Sequence, residues 1–270
     1  MRGKVGMLGA NREIPWNLSS AYYVQSVSVA AQETLPAGVA FKTDGTRMYV
    51  VGLSSDAVNE YSLSTAWDTS TASYQQNISV SAKFSSPYDV AFKPDGTRMY
   101  VIGNDVLADY AMSTPWDVAT ASYDSQINVS GVGSPISIAF RDNGSRLYIL
   151  SGANGDIDEY SLSTAWDLST ASYQRNFFLT PDYEGYGIFF KPDGTRLYAT
   201  VRNQSGQGPL DAVNEYSLST AWDITSASYV RSFDVGSQET SPRKVAFKTD
   251  GSRMYVVGTS SDSVIEYQLS

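Results

Sequence analysis

The chain has 270 residues and a formal charge of −9, with 28 acidic against 19 basic residues and neither cysteine nor histidine. Those absences exclude disulfides, thiol nucleophiles, imidazole bases, Ser-His-Asp triads and the usual zinc sites. The acidic balance argues against a nucleic-acid partner, no apolar run reaches membrane-spanning length, and Met1–Ala10 lacks the apolar core of a secretion signal.

In chain order, a short lead (1–15) precedes a single expected domain (16–270). The first predicted strand is Tyr23–Val29. Val39–Lys42 and Met48–Val51 follow, short apolar runs around Asp44-Gly45, where glycine accepts the positive φ of a turn. A third strand is expected at Val58–Leu63 and a fourth near Tyr74–Val80. The pattern then returns. Phe41–Tyr49 reappears at Phe92–Tyr100, Phe140–Tyr148, Phe190–Tyr198 and Phe247–Tyr255. An acid-Tyr pair follows each copy, at Glu60, Asp109, Glu159, Glu215 and Glu266, and tryptophans recur at 16, 67, 116, 166 and 222. The Trp spacings of 51, 49, 50 and 56 residues are those of a solenoid, propeller or array.

The phase of the repeat decides between these. The chain opens with the fourth strand of a unit and ends, at Val264–Leu269, with the third. An open solenoid needs polar capping repeats, and none is present. The expected fold is therefore all-β: a five-bladed β-propeller with four antiparallel strands per blade, closed by the N-terminal strand completing the C-terminal blade.

Phe92–Val101, Phe-Lys-Pro-Asp-Gly-Thr-Arg-Met-Tyr-Val, resembles the propeller repeats named for a Tyr-Val-Thr-Asn stretch. Ser62–Asp68 and the Ala-Ser-Tyr after it are similar to tandem repeats of uncharacterised phage and marine bacterial proteins. The resemblance covers residues 16–270 and departs at Gly52, where Asn is usual. It implies a β-propeller with surface or binding roles and carries over no catalytic residue.

The repeated residues read as scaffold: the tryptophans as packing anchors, Arg47 and Glu60 with their counterparts as cross-strand ion pairs. Departures from the repeat gather on the rim formed by the connections between blades. Tyr88, Tyr183 and Tyr186 offer apolar faces; Asp89, Asp182, Glu184, Asn203 and Gln204 offer polar groups; Arg202, Arg243 and Lys244 offer cations. The expectation is a non-catalytic recognition module, binding carbohydrate through this variable rim, with no metal and no cofactor. Its partners would be a glycan or surface ligand, with neither nucleic acid nor membrane insertion. It would be a monomeric domain, alone or within a larger assembly, with an extracellular or virion setting favoured. Two alternatives stand beside it. One is a passive module of a phage fibre or cell-surface stalk. The other is a carboxylate glycosidase or lactonase-like enzyme using Asp89, Asp182, Glu184 or Glu239, since glycosidases need paired carboxyls about 5–5.5 or 6.5–9.5 Å apart.

Overall fold

The computed structural model describes residues 15–153, 155–178, 183–203 and 211–269. The first blade is β2 (Pro36–Phe41), β3 (Arg47–Gly52), β4 (Ala57–Leu63) and β5 (Ala72–Ser79), paired antiparallel in sequence order. The second runs β6 (Pro87–Phe92), β7 (Arg98–Gly103), β8 (Val106–Met112) and β9 (Ala121–Asn128). The third runs β10 (Pro135–Phe140), β11 (Arg146–Ser151), β12 (Asp156–Leu162) and β13 (Ala171–Phe178). The fourth runs β14 (Tyr183–Phe190), β15 (Arg196–Asn203), β16 (Asp211–Leu218) and β17 (Ala227–Asp234). In the fifth, β18 (Pro242–Phe247), β19 (Arg253–Gly258) and β20 (Ser263–Gln268) are completed by β1 (Tyr22–Ser28). Tyr22 lies opposite Gln268 and Ser28 opposite Ser263, so the ring closes on its first strand as the phase of the repeat requires.

The turn between the first two strands is wider than a two-residue hairpin. Gly45 N–H donates to Lys42 O at 2.8 Å and Lys42 N–H to Arg47 O at 3.0 Å, so glycine closes a four-residue turn at φ +73°. Asp44 Oδ1 accepts from Thr46 N–H at 2.9 Å. Glycine has a second reason to be there: the Trp67 indole packs flat on Gly45, leaving no space for a β-carbon. Trp67 itself sits at φ +67°, and its N–H donates to Gly45 O at 2.9 Å. A bulky residue in this left-handed region is strained, and here the contacts on both sides of it hold the strain. All five tryptophans repeat the arrangement.

Each tryptophan also joins blade to blade. Tyr49 O–H donates to Trp116 O at 2.6 Å, and Tyr100, Tyr148, Tyr198 and Tyr255 reach Trp166, Trp222, Trp16 and Trp67 in the same way at 2.6–2.8 Å. Beside this seam the strand-three acids are buried, at most 3% exposed. Their arginines stay partly exposed, so the expected cross-strand ion pairs are half inside: Arg47 meets Glu60, and Arg253 meets Glu266.

Candidate functional site: a charged bolt across the central channel

The first strand of every blade lines the channel, and each carries a bulge near its start: the ladder slips between Pro36 and Gly38, Pro87 and Asp89, Pro135 and Ser137, Gly185 and Gly187, and Pro242 and Lys244. A bulge leaves one residue unpaired and re-aims its neighbours. The residues just past the five bulges are Gly38, Asp89, Ser137, Gly187 and Lys244, three positions before the repeated Phe in each case. They form one ring.

Lys244 crosses that ring. Its Nζ donates to Asp89 Oδ2 at 2.5 Å, to Ser137 Oγ at 3.0 Å and to Ile138 O at 3.1 Å. Asp89 Oδ2 also accepts from Ser137 Oγ at 2.7 Å and Ile138 N–H at 2.9 Å, while its Oδ1 accepts from Val90 N–H at 2.8 Å. Ser137 Oγ accepts from Ile188 N–H at 3.1 Å. Asp89 and Ser137 are fully buried and Lys244 is 6% exposed. The two glycines flank the lysine on the fourth and first blades. A β-carbon on Gly187 would stand 2.9 Å from Lys244 Cα, and one on Gly38 would stand 2.9 Å from Asp89 Cα. An ammonium and a carboxylate out of water are stable only as a fully hydrogen-bonded pair, and the ring supplies every partner.

Below the bolt the channel opens into a cavity of about 250 Å³, with Lys244 at its closed end. Its wall is apolar: Ala40, Ala91, Ala139 and Ala246 line four blades, and Phe189 takes their place on the fourth. Thr43, Pro192 and Thr249 from the first turns stand at its mouth. The cavity therefore opens on the uniform rim of the turns. A variable-rim mouth was expected, but Asp89 and Lys244 bolt the channel between that rim and the cavity.

Five cations surround the mouth, and the four lysines among them are each held by a turn carboxylate. Lys42, Lys93, Lys191 and Lys248 lie 2.7–2.8 Å from Asp44, Asp95, Asp193 and Asp250, and Arg141 lies 3.9 Å from Asp142. Burial alone would raise Asp44, but Lys42 and Thr46 outweigh it and hold the carboxyl at about 2.

The other expected site residues scatter. Tyr88, Tyr186 and Arg243 are the bulged residues themselves, half-buried toward the variable rim, with the Arg243 guanidinium 4.5 Å over the Tyr186 ring. Arg202 is exposed at the end of β15, its Nε 3.8 Å from Asp211 Oδ1. Tyr183, Glu184 and Asn203 have backbone places in β14 and β15, where Tyr183 pairs with Asn203 and Glu184 with Arg202. Asp182 and Gln204 lie outside the described residues. Glu239 is unfit as an exposed acid. Buried in the connection before β18, it accepts from Ser241, Ser260 and Ser261 N–H at 2.8–3.1 Å. Glu33 plays the same part before β2, where the Ser54 and Ser55 hydroxyls lower its carboxyl against the burial that would raise it. Ser137 was not singled out, although its place three before Phe140 marks it in the same register as Asp89 and Lys244.

Five antiparallel four-stranded blades around a channel, bolted by a buried Lys-Asp-Ser cluster, define a small β-propeller with an interior polar centre. The chain belongs to the lactonase, 7-bladed β-propeller family, which residues 79–270 match, although this ring has five blades. No curated protein matches the chain. Among solved structures it is similar to the periplasmic gluconolactonase of Pseudomonas aeruginosa, at 16% identity and a TM-score of 0.51, over 85% of this chain and 65% of that one. It is also similar to a candidate 6-phosphogluconolactonase from Bacteroides uniformis, at 15% identity and a TM-score of 0.52, over 86% of this chain and 66% of that one. A luciferin-regenerating enzyme gives 13% identity and 0.53, over 90% and 95%. The chain thus spans less than two thirds of the length of the first two structures, and at these identities the likeness is one of fold. Membership of a lactonase family corrects the expectation of a non-catalytic carbohydrate-binding module. The polar groups of the channel are turned inward on one another, and the cavity faces the opposite rim.

Proposed function

We propose that the chain is a lactone-cleaving hydrolase whose substrate enters the channel from the turn rim and meets Lys244 at the closed end. The observation that carries this reading is the apolar cavity ending on a buried ammonium, in a chain of a lactonase family. Hydrolysis of a cyclic ester builds negative charge on the carbonyl oxygen as water adds to the carbonyl carbon. When the ring C–O bond breaks, one proton of the added water ends on the departing ring oxygen as a neutral hydroxyl, the other is released to solvent, and the negative charge remains as a carboxylate. A fixed cation at the end of an apolar cavity stabilises such charge far better than water does. Two of the three acceptors on Lys244, the Ile138 carbonyl and the Ser137 hydroxyl, are neutral, and a developing oxyanion competes with them for a donor. Asp89 keeps the ammonium in place throughout.

The size and charge of the cavity narrow the substrate. At about 250 Å³ it falls below the roughly 300–1,000 Å³ of pockets for drug-sized ligands, which favours a single small ring. The four mouth lysines are occupied by their own turn carboxylates, so an uncharged lactone suits the site better than a phosphorylated one.

A pH-stat assay over five- and six-membered lactones, including gluconolactone and its 6-phosphate, tests both parts. The expected result is turnover of neutral lactones, at least tenfold faster than of the phosphorylated one. The Asp89→Asn/Lys244→Met double variant should lose at least a hundredfold. If the wild type opens no lactone, the reaction class is wrong; if it does and the double variant matches it, the channel is the wrong place.

A further inference from the structure

Four of the five junctions between blades share one more device, and the fifth lacks it. In those four a long side chain on the outermost strand bridges two acceptors: the buried acid opposite it, and the capping residue of the short 3-10 turn on the next blade. Gln76 Nε2 donates to Glu60 Oε2 at 3.1 Å and to Asp117 Oδ1 at 2.6 Å. Gln25 Nε2 donates to Glu266 Oε2 and Asp68 Oδ1, both at 2.9 Å. Arg175 does so with Nε to Glu159 at 2.7 Å and Nη2 to Asp223 at 3.0 Å; Arg231 lies 3.3 Å from Glu215 and donates to Asn17 at 2.8 Å.

Between the second and third blades the bridging position is Ser125, opposite Asp109 in the ladder, and the acid there is one methylene shorter than glutamate. The space left is a groove of about 390 Å³ lined by Asp109, Asp124, Ser125, Trp166 and Asp167 among others. Asp109 is 97% buried, and its Oδ1 finds no donor among the described residues. Arg98 serves only the other oxygen, at 2.9 Å, and shares itself with Asp124. Lys93, also on the wall, is taken by Asp95 at 2.8 Å. Three carboxylates therefore face the groove with one guanidinium among them, Arg98, already shared between two of the three. Burial, only partly offset by Arg98, pushes the Asp109 carboxyl up to about 6.

We propose that this groove is a binding site for a guanidinium group brought by a ligand. Arg175 and Arg231 fill the equivalent space at two other junctions with that same group, bridging the same pair of acceptors. The groove is the negative image of those side chains, and a planar donor fork matches two separated carboxylates better than a spherical ion does. Among the described residues no acidic cluster has the spacing of a metal site. The site is separate from the channel and does not depend on the lactonase reading.

Titration calorimetry of the whole protein with agmatine and with acetyl-arginine-amide tests this and distinguishes a free small molecule from an arginine on a peptide. The expected result is saturable one-to-one binding, and the tighter of the two probes names the source. Ser125→Arg supplies the group internally and should abolish binding while raising the melting temperature; Ser125→Gln is the gentler second variant. Asp109→Asn should weaken binding at least tenfold. The proposal is overturned if neither probe binds the wild type saturably, or if binding persists undiminished in Ser125→Arg and Ser125→Gln.

Discussion

The blade seam and the channel ring occupy the same five-fold frame and treat it in opposite ways. At the seam all five copies agree: the same Trp on the same Gly, the same Tyr hydroxyl on the next Trp carbonyl. In the ring the five matched positions hold two Gly, one Asp, one Ser and one Lys. Packing between equal blades sets five equal problems and has five equal solutions. A polar centre on the axis cannot repeat, because five lysines or five aspartates pointing at one another would leave like charges buried together. Identity therefore marks where the ring is built, and difference marks where its chemistry sits.

Removing residues 1–29 breaks the seam most severely. The truncation deletes β1, which completes the fifth blade, and Trp16, whose carbonyl receives Tyr198. Loss of the folded monomer is expected, read as an absent or much lower melting transition together with association through the two exposed strand edges. A truncated protein that melts as the wild type does, and stays monomeric, would show that the ring does not need its first strand.

The channel ring is tested by taking its charges singly and together. Lys244→Met leaves the Asp89 carboxyl buried with its cation gone, and a loss of about 3–5 kcal/mol is expected. Asp89→Asn/Lys244→Met removes both charges and should recover most of that loss, since a buried pair adds little net stability over neutral groups of similar size. Urea denaturation of the single and double variants gives the comparison. Equal losses in both would mean that the bolt acts through packing, with its charges incidental.

The same contrast explains what could be read before the fold was known. The seam was legible because repetition reports packing: five Trp, five Asp-Gly or Asn-Gly turns and the fourth-strand-first phase lead directly to a closed five-bladed ring. Asp89 and Lys244 were legible as departures from the repeat, but their partnership across 155 positions was not. A single bulged residue decides it. Tyr88 and Asp89 are neighbours in sequence, yet the slip between Pro87 and Asp89 leaves the first half-buried toward the rim and drives the second into the channel. Read as part of the connection before the strand, both residues fall on the rim, and the bulge is what separates them.

A third kind of position sharpens the comparison, one that differs between blades but lies outside both ring and channel. On the third strand of each blade, Asn59, Ala108, Asp158, Asn214 and Ile265 are equivalent. Asp158 is the one carboxylate among them. It is 6% exposed, and its carboxyl is pushed up to about 6, first by burial and then by the neighbouring Asp156. A folded-state value above the ordinary 3.8 means that the folded chain holds this proton more tightly than the unfolded one between about pH 4 and pH 6. The stability associated with that proton is fully present below about pH 4 and lost as the pH rises through 6. Asp158→Asn keeps the shape, supplies the residue that Asn59 and Asn214 already place there, and removes the titration. The variant should gain about 1–2 kcal/mol over the wild type at pH 7–8 and almost nothing at pH 4. Melting both proteins across that range decides the matter. A gain that does not depend on pH would trace the effect to shape. No gain at any pH would show that the blade accommodates this charge, leaving Asp158 as a difference that marks neither construction nor chemistry.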